Sequence, residues 1–131
     1  MMKIKLLLLF ACTGFILSCK PSVNSGGLYG KWNYANIEHP NHDRPDMAAA
    51  ELKQHGASVE FSKDNSFVIS WDGKPLSQGK FTAEGDKIQL NENLPDGSTR
   101  SYVFYITKAS ATEITFETKG SESSRVTAVK E

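Results

Sequence analysis

The sequence predicts an all-β fold, a small eight-stranded up-and-down antiparallel barrel with one short helix in the connection between strands 1 and 2. Three observations predict it. From Leu28 onward, apolar residues recur at every second position in eight short segments. Turn residues separate those segments, most of the connections being short, and helix-forming residues gather in one stretch only, residues 46–55. Eight twisted strands joined in this way close on themselves, because closure removes the unpaired edges.

The first strand is predicted over residues 29–37, with Trp32 and Tyr34 on one face, and the second over 58–62, with Val59 and Phe61 together. Residues 66–71 alternate Phe67, Ile69 and Trp71 against Ser66, Val68 and Ser70, then stop at Asp72-Gly73, a strong two-residue hairpin signal. The fourth strand, 76–83, is interrupted by Gly79, which in a barrel marks a bulge or a bend. Residues 87–91 carry Ile88 and Leu90 inward, and Leu94-Pro95-Asp96-Gly97 turns the chain into the long strand 100–108, where Tyr102, Phe104 and Ile106 share a face. Strands at 113–118, with Ile114 and Phe116, and 124–129, with Val126 and Ala128, complete the set.

The long connection, residues 38–56, departs from the hairpin pattern. Its helix is expected to be capped by Asp43 or Asp46, to hold Pro45 in the first turn and to end at Gly56, lying over one barrel mouth.

Ahead of the barrel, Lys3 and Lys5 precede an apolar run that ends at Leu17, too short to span a bilayer. Ile16-Leu17-Ser18-Cys19 resembles the lipobox of bacterial lipoproteins. The resemblance implies cleavage before Cys19 and palmitate-type acylation there, an anchor to the cell membrane or outer membrane of an exported protein. The apolar run before Cys12 is too short for the same role. Several acyl chains, at about 0.8 kcal/mol per buried methylene, hold a soluble domain firmly. The expected organisation is a signal peptide over 1–18, a lipidated cysteine and flexible tether over 19–27, and the barrel over 28–131.

Losing Lys3 and Lys5 with the signal leaves 13 basic groups against 15 acidic ones, a net charge near minus 2. Without a basic run or a basic aromatic strip, that balance gives no footprint for nucleic acid. One remaining cysteine, lipidated, leaves no disulfide, so stability rests on the core and a monomer is expected.

Gly30-Lys31-Trp32 on the first strand, Phe61, Asp64 and Phe67 at the next hairpin, and Ile106 with Ser110 before the penultimate strand carry a second resemblance. Together with the meander they look like the lipocalin-like domains of bacterial lipoproteins. The resemblance implies that Gly30 and Trp32 are structural and close the barrel floor. The chain departs from the family in lacking its Thr-Asp-x-x-Tyr element and a clear late arginine to pack over the tryptophan, Arg125 being the only late candidate. An eight-stranded barrel is just wide enough to be filled by its own side chains or to hold one small ligand. The inward bulk predicts a packed floor and a shallow apolar pocket at the mouth, lined by Tyr34, Trp71 and Tyr102.

Other chemistry is sparse. His39, His42, Asp43 and His55 share the long connection, but Pro40 separates the first pair and no cysteine assists, so neither metal nor cofactor is expected. No Gly-x-Ser-x-Gly elbow occurs, Gly26-Gly27 precede no Lys-Ser or Lys-Thr, and paired carboxylates such as Asp64 with Asp72 fall at hydrated turns. A binding module is expected rather than an enzyme. It takes a small apolar or amphipathic molecule at the barrel mouth, or alternatively an envelope protein through the 38–56 connection.

Overall fold

The computed structural model describes residues 21–41, 44–120 and 123–131; the expected signal peptide, Cys19, His42 and Asp43 lie outside them. In chain order the elements are α1 (Ser25–Leu28), β1 (Gly30–Glu38), α2 (Ala49–His55), β2 (Ser58–Phe61), β3 (Ser66–Trp71) and β4 (Lys74–Glu84). The chain continues through β5 (Lys87–Asn93), β6 (Thr99–Ala109), β7 (Glu113–Thr118) and β8 (Ser124–Lys130). Each strand pairs antiparallel with the next and β8 pairs with β1, so the sheet is a closed eight-stranded up-and-down barrel, as the sequence predicts.

The turns follow from their residues. Asp72 (φ 56°) and Gly73 (φ 76°) both take the left-handed region that a two-residue hairpin needs, and Asp and Gly tolerate it. Registers shift between Tyr34 and Asn36, between Ile69 and Ser70, and between Ile106 and Lys108. The first shift skips Ala35, so Trp32, Tyr34 and Ile37 all face inward. The second leaves Leu76 without a partner on β3, while Gly79 pairs regularly with Phe67 and Glu92. The bulge expected at Gly79 therefore sits three residues earlier, and Gly79 itself marks a close approach of two backbones.

Inside, Trp32, Val59, Phe61, Phe67, Phe81, Ile88, Leu90, Ile114 and Phe116 are essentially inaccessible to solvent. Phe61 meets Phe81 edge-on with centroids 4.7 Å apart, and Phe104 stacks on Phe116 at 4.0 Å. Side chains of this kind, each burying about 150–250 Å² in general, fill a barrel of eight strands.

One end of the barrel is closed by the chain's own entry. Val23 donates its N–H to the Gly85 carbonyl (2.8 Å), Tyr29 donates its hydroxyl to Asn65 (3.1 Å), and the Trp32 indole N–H donates to the Leu28 carbonyl (2.8 Å). Val23 and Leu28 join the core. The flexible tether expected up to Gly27 is thus corrected: from Val23 onward the chain is part of the barrel floor, because two apolar residues suffice to dock a turn capped by Asn24.

At the opposite end, β2 spans only four residues, leaving the later half of β1 unpaired on that side. The long connection fills the gap. Tyr34 donates to the Ala57 carbonyl, Ile37 and Met47 exchange backbone hydrogen bonds, and Asp72 donates to the His55 carbonyl. The helix α2 is therefore stitched between the end of β1 and the end of β3, completing the wall. It starts later than expected: Asp46 is no cap, since its carboxylate accepts the His39 N–H (2.7 Å), and the helix opens at Ala48 without a side-chain cap. Its end is as predicted, with Gly56 left-handed (φ 60°) and Ala57 donating to Leu52 in a Schellman arrangement.

Candidate functional site

The barrel mouth is where strand alternation stops burying side chains completely. Trp71 ends β3 only half-buried, and one face of its indole stacks on the His55 ring, with centroids 4.5 Å apart and planes 16° off parallel. His55 is held in place by Asp72, its Nδ1 lying 2.7 Å from Oδ1. Leu76, pushed out of register by the β4 bulge, is 61% exposed, far beyond the other apolar side chains of the strands around it.

Across from these residues runs the connection. His39 is buried and its Nδ1 donates to the Pro45 carbonyl at 3.0 Å, which with the Asp46 contact ties residues 44–47 to His39 as a strap. Between strap, helix and hairpin lies a cleft of about 680 Å³, with Ile37, Met47, Trp71 and Leu76 as apolar walls and Arg44, Asp46 and Glu51 among its polar lining. An apolar floor with polar groups at the edge suits a molecule that is itself amphipathic.

At the mouth end of β5 and β6 the inner face is partly polar. Glu92 follows Ile88 and Leu90 into the barrel and is only 6% exposed, and Arg100, its partner across β5 and β6, binds it through Nε (3.0 Å) and a second guanidinium nitrogen. Tyr102 sits beside this pair with its hydroxyl 2.7 Å from Ser77 Oγ. Burial holds the Tyr102 phenol above its ordinary range, the Ser77 hydrogen bond opposing and the Glu92 charge adding to the shift. Tyr34 is shifted further, by burial first and by Tyr102 second. Both phenols are therefore neutral at physiological pH.

No protein-family model and no curated protein matches this chain.

Of the three residues expected to line the mouth, the structure puts Trp71 in the cleft. Tyr102 lies beneath it, edge-on to Phe67 and Phe104. Tyr34 packs against Phe116 and borders, with Leu52 and Ala57, a second cleft of about 470 Å³ between α2 and the wall. Gly30 and Trp32 occupy the floor end, and the cation over the indole is Lys130, with Nζ 5.3 Å from the ring, not Arg125. Arg125 instead bridges Glu117 (3.0 Å) and Glu38 (3.6 Å). Cys19 is outside the described residues. His39 and His55 take different partners, and among the described residues no three His, Cys, Asp or Glu side chains converge on one point.

Sequence reasoning missed Ile37, Met47, Leu76, Glu92 and Arg100. The last two were within reach, since continuing the inward parity from Leu90 and from Tyr102 leads directly to them. The first three depend on bulges and on the strap, which leave no periodic trace.

Proposed function

We propose that this protein is a lipid-anchored binding module of the cell envelope that takes a small amphipathic molecule in the mouth cleft. The single observation that carries the reading is the cleft itself, whose apolar walls combine a stacked, half-buried Trp71 with an exposed Leu76. The barrel interior is filled by aromatic and aliphatic side chains, so the ligand rests at the mouth and not deep in the barrel. An N-terminal lipobox-like stretch supports the anchor at Cys19, and among the described residues no helix is long and apolar enough to cross a membrane.

Titrating the protein with fatty acids, bile salts and lipid extracts while following Trp fluorescence tests the proposal. A saturable change is expected. Replacing Leu76 by Asp, read by fluorescence, or Trp71 by Ala, read by calorimetry because it removes the reporter, should weaken binding by about tenfold or more, since each removes apolar contact on the order of 1.5–3 kcal/mol.

A second reading has its own support, because the 38–56 connection contributes six of the ten residues that line the cleft, including exposed Arg44 and Glu51. In that reading the cleft receives a side chain of an envelope protein. It prevails if no small molecule changes the emission and one partner from envelope extract is lost on replacing both Trp71 and Leu76.

A further inference from the structure

We infer that the barrel stands floor-down on the membrane that anchors it, with the mouth cleft turned away from the bilayer, so that its ligand arrives from the aqueous side. The inference rests on the anchor at Cys19 proposed above and adds the orientation and the source of the ligand.

The argument is one of reach. Val23 is fixed to the floor by its hydrogen bond to Gly85 and by its place in the core. Three residues, 20–22, lie between it and Cys19, so four residue steps join the two, a span of at most about 14 Å when fully extended. The headgroup layer is itself about 5–8 Å thick on each side, so an acylated Cys19 holds Val23 close to the bilayer surface.

The entry point is central on the floor. Gly85 belongs to the β4–β5 turn, Asn65 to the β2–β3 turn, and Ser110, which lines a small floor cavity with Val23 and Leu28, to the β6–β7 turn. All three floor turns therefore surround the tether.

The cleft is at the other end. Strand β6 has 11 residues, about 36 Å of chain, or about 25–29 Å along the axis at the tilt usual in barrels. A mouth-down arrangement would lift Val23 beyond the tether's reach. The occupant of the floor surface is accordingly the anchoring bilayer. The floor turns carry both signs, with Lys63, Asp64, Glu84 and Asp86, so proximity is set by the tether and not by charge.

The test uses the lipidated protein in phosphatidylcholine vesicles with single spin labels, which the absence of any other cysteine in the mature chain permits. Lys63→Cys reports the floor and Lys74→Cys the mouth hairpin; both positions are exposed. The floor label should collide several-fold less often with a water-soluble paramagnetic relaxer than the mouth label. Equal accessibility, or protection of the mouth label, in a protein whose N-terminal peptide carries the acyl mass overturns the orientation and leaves the anchor standing. A peptide without acyl mass removes the anchor and the orientation with it. Inserting a Gly-Ser stretch of about 20 residues after Lys20, with an end-to-end distance of roughly 25 Å, should erase the difference between the labels; protection that survives the insertion would overturn the tether as its cause.

Discussion

Tyr34 and Trp32 lie two residues apart on the inner face of β1 and do different work. Trp32 ties the floor together through its hydrogen bond to Leu28 and its fully buried ring. Trp32→Ala should cost about 3–5 kcal/mol, read as a lowered urea midpoint, and leave the Leu28 carbonyl without its donor. Tyr34 affects pH dependence instead. Its phenol ionises well above the ordinary range in the fold because burial penalises the phenolate. An unfolded tyrosine ionises near pH ~10, so below that pH both states are protonated and the full stability is present. Above it the unfolded chain loses the proton first, and stability falls as pH rises toward the folded value. Tyr34→Phe removes this contribution, and its urea midpoint should decline less steeply between about pH 9 and 11 than that of the parent. Identical slopes would show that Tyr34 is not a source of alkaline sensitivity.

Acidic turn residues have the opposite sign. Asp64 and Asp96 each accept a hydroxyl and a backbone N–H from the serine two residues on, and those bonds hold both carboxyls below their usual range. Whatever they contribute is present above the ordinary carboxyl pKa and lost as pH falls. In an NMR titration Ser66→Ala should return Asp64, and not Asp96, toward the ordinary value.

At the scale of elements, two glycines separate conformational from steric cost. A Cβ on Gly79 would come within 2.0 Å of the Asn91 carbonyl oxygen, so β4 or β5 must shift to admit it. Gly79→Ala should cost about 3 kcal/mol or more. Gly56 meets nothing within 4 Å but holds φ at +60°, so Gly56→Ala should cost only about 1–2 kcal/mol. Equal losses would mean that the Gly79 approach relaxes freely.

The two positions also mark what the sequence made legible. Gly56 was readable as a helix end because the left-handed residue is a local requirement. Gly79 was readable as an interruption, but which neighbour it makes room for depends on the pairing of β4 with β5, which no local pattern encodes. The same division runs through the other elements. Asp72-Gly73 announced its hairpin, and alternation gave Phe67, Phe104, Phe116 and most of the core. The bulge at Leu76, the strap from Arg44 to Met47 and the docking of Val23 arise from long-range closure and stayed hidden. Trp71 alone among the expected mouth residues reached the cleft, because it ends a strand whose parity is unbroken up to its last residue.

For the molecule as a whole, the two barrel ends differ in how they are held, and this sets which parts open first. The floor is tied to the core by Val23, Leu28 and Trp32, all within one cluster of buried residues. The mouth connection buries Leu52 and Ala57 outside that cluster and is joined to the wall mainly through backbone bonds of Ile37, Met47, Ala57 and Asp72. A segment with few buried apolar contacts opens locally at low free energy, while strands in the shared core exchange only on global unfolding. Native-state hydrogen exchange should therefore show the Met47 and Asp72 amides exchanging early with little dependence on urea, and the Val23, Phe81 and Leu90 amides late with a dependence near the global m value. A ligand in the cleft that binds only the closed connection adds up to about 2.7 kcal/mol to those early amides at a hundredfold excess over Kd, roughly a hundredfold slowing. If saturating ligand slowed the floor amides while leaving Met47 and Asp72 unchanged, binding would lie elsewhere than at the mouth.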